Sequence, residues 1–125
     1  MVVTVQGEPD TAPFTRIYQF SNKTDYIILS SSMKSIDNKL SRRMKININE
    51  TLYLYLKYII DQLRRYKKRN EIIKNASKLL KPDQVMIGVP ESLRKVKFDI
   101  KLESTQRLRI TLKEPISTSG YVLAP

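Results

Sequence analysis

Between Lys95 and Lys113 the chain alternates apolar and polar residues more regularly than anywhere else. Val96, Phe98, Ile100 and Leu102 interleave with Lys95, Lys97, Asp99, Lys101 and Glu103. Leu108, Ile110 and Leu112 interleave with Arg107, Arg109, Thr111 and Lys113. Side chains on a strand point alternately to its two faces, so this period of two predicts two half-buried strands. A two-residue loop would set Leu102 against Arg107 and mix the faces. A three-residue loop, Ser104-Thr105-Gln106, pairs Leu102 with Leu108, Ile100 with Ile110 and Phe98 with Leu112. A five-residue loop keeps the same parity. The three-residue register, the one expected, sets Lys97 opposite Lys113.

Upstream, Val2–Val5 predicts a short strand within an extended arm that contains Gly7, Pro9, Asp10 and Pro13. Arg16–Phe20 and Asp25–Leu29 are rich in β-branched and aromatic residues and flank the turn-forming Ser21-Asn22-Lys23-Thr24, which predicts a hairpin. Ser30-Ser31-Ser32 breaks that pattern. Met33, Ile36, Leu40 and Met44 then recur at spacings of 3, 4 and 4, which predicts a short amphipathic helix.

The middle of the chain carries two periods at once. Ile46, Ile48, Leu52, Leu54 and Leu56 share one parity, whereas Leu52, Leu56, Ile59, Leu63 and Tyr66 recur at spacings of 4, 3, 4 and 3. The expectation is a strand near 44–48 and a long helix from about 50 to 80. Asn47 and Glu50 have capping-box spacing, and Asn49 is itself a favourable cap. The apolar stripe runs on through Asn70, Ile73, Ser77 and Leu80. It reads as a helix packed on its own sheet or as a homodimer seam with Asn70 setting register. A break near Arg69-Asn70 is the alternative, and Pro82 should end the helix. Gln84–Ile87 reads as a strand and Gly88–Glu91 as a turn.

Together these elements predict an α+β fold. A mainly antiparallel sheet with a basic C-terminal hairpin packs on one long and one short helix. The expected organisation is an extended N-terminal arm over 1–13, one domain over 14–114 and a tail over 115–125 ending in Gly120-Tyr121-Val122-Leu123-Ala124-Pro125.

Composition narrows the chemistry. In 125 residues there is no Cys and no His, which excludes disulfides, the usual zinc sites, thiol nucleophiles and imidazole catalysis. Three dispersed glycines cannot build a phosphate-binding loop. No apolar run approaches 18 residues, and the first residues lack the pattern of a signal peptide. The reading is an intracellular, cytoplasmic protein without cofactor, metal or catalytic residue.

Charge changes the picture most. Residues 1–62 hold eight cations and six anions, 8 − 6 = +2; residues 63–125 hold fifteen and six, 15 − 6 = +9. Arg64, Arg65, Lys67, Lys68 and Arg69 crowd a helix around Tyr66, which should stay on the apolar seam. Asp61 should absorb only Arg65, at i,i+4. Lys74, Lys78 and Lys81 extend the run. Lys95, Lys97, Lys101, Arg107, Arg109 and Lys113 cover the outer face of the hairpin, with Asp99 and Glu103 among them. The function expected from this pattern is non-enzymatic binding of DNA or RNA through phosphates, in a ribonucleoprotein or nucleoid. If about 6 phosphates of a duplex were neutralised, log K would fall with log salt at a slope of about −5.

Two alternatives stand beside it. Pro82-Asp83 followed by Asp99-Ile100-Lys101 resembles the PD-(D/E)xK nuclease motif, whose carboxylates would hold Mg²⁺, with Glu71 a third. The other is an assembly subunit that uses the long helix as a dimer seam. The order of a helix followed by a terminal basic hairpin is also similar, over about half the chain, to that of Alba-type archaeal chromatin and RNA-binding proteins. There Asn70-Glu71-Ile72-Ile73-Lys74 would answer to their second strand and residues 95–113 to their arm, without their glycine-containing motif.

Overall fold

The computed structural model describes residues 1–8, 12–102 and 106–117. Pro9, Asp10, Glu103, the loop residues Ser104 and Thr105, and the tail from residue 118 (Gly120 to Pro125 included) lie outside the described residues. The fold is α+β. Four strands, β1 (Val2–Gly7), β2 (Phe14–Gln19), β3 (Lys95–Lys101) and β4 (Arg107–Lys113), form one antiparallel sheet in the order β2-β1-β3-β4. Among the described residues there are four helices: α1 (Lys23–Ser41), α2 (Ile48–Arg64), α3 (Arg69–Ala76) and the single turn α4 (Val89–Ser92).

The sheet is two-faced because its strands alternate. Val3 and Val5 of β1, Val96, Phe98 and Ile100 of β3, and Ile110 and Leu112 of β4 are all buried. The helices close over them, and α2 carries the densest contribution, with Leu52, Tyr55, Leu56 and Ile59 essentially inaccessible. The opposite face of β3 and β4 holds the charged residues.

Asp25–Leu29 is not a strand. Asn22 caps α1: its side chain accepts from the Asp25 N–H, and the Asp25 carboxylate accepts from the Asn22 N–H. That reciprocal cap starts a helix at Lys23, which runs unbroken through Ser30-Ser31-Ser32 and absorbs the shorter helix expected from Met33. The strand partner of β2 is β1, in a register that sets Val3 against Tyr18 and Val5 against Arg16.

The strand expected near 44–48 reduces to one parallel bridge. The Ile46 N–H donates to the Gln84 carbonyl (3.1 Å), and the Met86 N–H donates to the Ile46 carbonyl (2.9 Å). This bridge is all that is seen of the strand expected at Gln84–Ile87. Asn47 and Glu50 form the second reciprocal cap and open α2 at Ile48. Lys39, near the end of α1, reaches Glu50 at 2.7 Å, while Arg64, at the end of α2, lies over the Tyr26 ring at 4.5 Å. α1 and α2 are therefore antiparallel.

The long helix expected over 50–80 is two helices. At its C-terminus α2 closes with the Tyr66 N–H on the Leu63 carbonyl and the Lys67 N–H on the Gln62 carbonyl, both at 3.1 Å. This is a Schellman ending that requires Tyr66 to adopt φ 56°, a conformation rare outside glycine. Tyr66 is 94% exposed and not part of the core. The chain restarts as α3 and ends at Ala76, before Pro82, which instead begins a 3₁₀ turn at Pro82–Gln84. Because Leu52, Leu56 and Ile59 are spent inside the domain, no dimer seam runs along this stripe, and Asn70 is exposed. Residues 70–74 are helical, so the likeness to the second strand of Alba-type proteins does not hold.

The C-terminal hairpin forms as expected but two residues out of register. Phe98 faces Ile110, Ile100 faces Leu108, and the Leu102 N–H donates to the Gln106 carbonyl (3.0 Å). A slip of two preserves which side chains point inward, so alternation alone cannot choose between the two registers.

Candidate functional site

The register decides which charges meet. Lys95 faces Lys113, Lys97 faces Thr111, Asp99 faces Arg109 and Lys101 faces Arg107. The direct opposition of Lys97 and Lys113 is thereby replaced by two like-charge pairs, one at each end of the ribbon. Carboxylates neutralise the middle and one end. Glu8, just past β1, lies 3.2 Å from Lys97 and 3.8 Å from Lys95. The hydrogen bond from Lys97, and then the charge of Lys95, hold the Glu8 carboxyl below its ordinary value. Asp99 lies 3.6 Å from Arg109 across the strands. Among the described residues Lys101, Arg107 and Lys113 have no ion-pair partner.

The second group of cations sits on the turn that joins α2 to α3. Arg64, Arg65, Lys67, Lys68 and Arg69 are all exposed. Arg64 stacks on Tyr26, a cation–π contact that takes up its planar face and leaves its donors outward. Asp61 pairs with Lys57 at 2.7 Å and not with Arg65. Arg69 donates to the Arg109 carbonyl, which ties α3 to the outer edge of β4. The two basic groups thus adjoin at Arg69.

A cavity of about 570 Å³ opens between the C-terminal end of α2 and the ends of β1, β3 and β4. Met1, Tyr26, Ile60, Leu63, Ile100, Leu102 and Leu108 line it, with Arg64. Its position could not be read from the sequence, because it depends on β1 lying beside β3. The partnership of Glu8 with Lys95 and Lys97 was hidden for the same reason.

The nuclease-like string does not assemble. Asp83 lies in the 3₁₀ turn, beside Arg43, Met44 and Lys81. Asp99 is engaged by Arg109, and Glu71 is in the first turn of α3. Among the described residues no three His, Cys, Asp or Glu side chains are grouped to hold a metal.

Comparison with known proteins points elsewhere than nucleic acid. The family model described as "Urease, gamma subunit" matches residues 20–116. The "Urease subunit gamma" of Halalkalibacterium halodurans is 28% identical over 78 residues, 62% of this chain and 77% of the relative. That of Streptomyces coelicolor is 28% identical over 80 residues, 64% of this chain and 79% of the relative. That of Prochlorococcus marinus is 25% identical over 93 residues, 74% of this chain and 92% of the relative. These matches overturn the expectation of a DNA- or RNA-binding protein and that of a nuclease, and with them nucleic acid as partner. They also correct the expectation of a chain standing apart from any enzyme, since the family is named for a subunit of one.

Proposed function

This chain belongs to the urease gamma-subunit family, and from that premise we propose that it is a non-catalytic subunit of a urea-hydrolysing complex. Its work would be to pack against the other urease subunits. The observation that carries this reading is the extent of the match. Residues 20–116 include every helix described and the whole β3–β4 hairpin, and leave only β1 and β2 of the described elements outside the match.

Chemistry supports the division of labour. Hydrolysis of an amide-like bond calls for an activated water and for groups that move protons near neutral pH. A chain with no His and no Cys is poorly furnished for either task. The unit offered to partners would be the body over 14–114, with β1 of the 1–13 segment built into its sheet and residues 115–125 following it. The eleven cations of the α2–α3 turn and the hairpin would serve as protein contacts. The complex would work in the cytoplasm; among the described residues no helix is long and apolar enough to cross a membrane.

The test is co-expression with the other urease subunits of the same organism, followed by size separation and a urea-hydrolysis assay. The expected outcome is co-elution of this chain with those subunits, activity that depends on its presence, and none from the chain alone. Elution of the chain by itself, with full activity in fractions that lack it, would overturn the reading.

A further inference from the structure

We infer that the outer edge of β2 pairs with an extended segment of another urease subunit, which adds a strand to the sheet and lays one apolar side chain over the pocket between β2 and α1. This rests on the reading above and names the surface and the form of the partner there.

The hydrogen bonds of β1 define that edge. The Phe20 N–H donates to the Met1 carbonyl (2.9 Å), and the Met1 amino group donates to the Phe20 carbonyl (3.1 Å). In an antiparallel ladder, pairs that exchange such bonds alternate with pairs that do not. Val3 with Tyr18, Val5 with Arg16 and Gly7 with Phe14 are therefore the bonded pairs. β1 obeys the same alternation on its other side, where the Glu8 N–H donates to the Lys95 carbonyl (2.8 Å). Thr15, Ile17 and Gln19 consequently turn their N–H and carbonyl groups away from β1, and these groups meet no partner among the described residues. No described strand lies beyond β2, whereas β4, at the other edge, is tied to α3.

The second observation is a pocket of about 210 Å³ along the same edge, lined mainly by Ile17, Tyr18, Phe20, Ile28, Leu29 and Tyr53. Ile17 and Ile28 are 67% and 55% exposed. The volume is below the about 300 Å³ at which small-molecule sites begin, and it suits one side chain. A row of open backbone groups beside a side-chain pocket supplies both parts of a strand-addition site, the first for affinity and the second for specificity. β2 also lacks the Pro and Lys that guard exposed edges. Arg16 is its one charge, so the incoming strand should carry no cation opposite it.

The size of the edge selects the occupant. The six residues of β2 span about 20 Å, and a layer about 10 Å thick gives about 200 Å² a side, or about 400 Å² in total. Stable, specific interfaces bury about 1,200 Å² or more, so this edge alone is too small to hold two copies of the chain together. A segment of a subunit already docked on the rest of the body pairs at high effective concentration and needs no larger contact. β2 lies outside the matched residues 20–116, so this contact is not one that the family match carries.

The experiment measures amide hydrogen exchange, resolved to single residues over 14–20, in the full chain alone and bound to the other urease subunits. Alone, Ile17 and Gln19 should exchange about tenfold or more faster than Arg16 and Tyr18, whose N–H groups face β1. On binding, Ile17 and Gln19 should slow by about tenfold or more. Ile17→Pro removes one outward N–H and leaves the donors to β1 in place, and Ile17→Lys sets a guard on the edge. Whichever of the two keeps the wild-type circular dichroism and melting curve should weaken capture of the subunits by about tenfold. If wild type captures the subunits while exchange at Ile17 and Gln19 is unchanged, this inference falls and the proposed function stands. Slower exchange with no loss of capture in the folded variant also overturns it, because a surface can shield amides without pairing to them. Protection of Ile17 and Gln19 in the chain alone would mean a different occupant: a second copy if dilution restores exchange, or the chain's own residues 118–125 if their removal does. Either result sinks the inference. If wild type captures no urease subunit, both readings fall together.

Discussion

The ribbon β3–β4 drives Val96, Phe98, Ile100, Ile110 and Leu112 into the core, whereas in β1–β2 only Val3 and Val5 carry core side chains. β2 contributes no fully buried side chain, and its Ile17 is 67% exposed. Both ribbons belong to one sheet, yet they are held differently. The C-terminal ribbon is fixed by burial of one face. The N-terminal ribbon is fixed chiefly by backbone pairing, because β1 lies between two neighbours and exchanges hydrogen bonds with β2 on one side and β3 on the other. The outer edges differ as well. β4 is tied through the Arg109 carbonyl to Arg69 of α3, while β2 is the strand at the opposite edge. The family match sharpens the contrast, since it begins at residue 20 and takes in β3 and β4 but neither β1 nor β2. A strand can thus be essential to a sheet while adding little to its core.

Truncation of one apolar side chain in each ribbon should separate the two most visibly. Phe98→Ala removes a fully buried ring and should cost about 3–5 kcal/mol in chemical denaturation. Ile17→Ala should change stability by no more than about 0.5 kcal/mol. Equal losses would mean that β2 is buried after all. The next test acts on the N-terminal ribbon alone. Gly7 faces Phe14, and a Cβ at Gly7 would overlap the Phe14 ring. Gly7→Ala should therefore cost about 1–3 kcal/mol, and combining it with Phe14→Ala should restore part of that loss in the same denaturation series.

The smallest effect concerns the ion pairs that link the two ribbons. Glu8 reaches from the end of β1 to Lys97 and Lys95, and its carboxyl is lowered from 4.5 in the folded state. A group lowered on folding stabilises above its unfolded value, and the contribution fades as pH falls through the folded value. Glu8→Gln should therefore flatten the decline in melting temperature below about pH 4.5 and leave the profile on the alkaline side of that range parallel to wild type. An unchanged acid limb would mean that Glu8 does not clasp β3.

The same contrast explains what the sequence could reveal. The β3–β4 strands were legible because each is half buried, so alternation in Val96–Ile100 and Leu108–Leu112 maps directly onto two faces. β2 is barely buried, so its alternation carries no signal, and the sequence offers Arg16–Phe20 no clearer partner than the nearest apolar run, Asp25–Leu29. That run is helical because Asn22 and Asp25 cap it, a spacing of three that was present to be read. The corresponding Asn47–Glu50 spacing marks a cap in the sequence, and α2 does begin there. The break after Arg64 was harder to see, because glycine is the usual marker of a left-handed helix ending and Tyr66 takes that place. For the candidate site, the cations themselves were legible. Their neutralisation was not, since Glu8 lies far from Lys97 in sequence and meets it only through strand pairing. Their partner was not legible either, because charge density specifies an opposite charge and not the polymer that bears it.

The bridge between Ile46 and Val85 ties two connectors that would otherwise be independent: the link from α1 into α2, and the stretch leading from the 3₁₀ turn to α4. Ile46 spends both its N–H and its carbonyl on the second connector, and both Ile46 and Val85 are buried. Loosening either stretch therefore strips hydrogen bonds from the other, so the two behave as one cooperative latch.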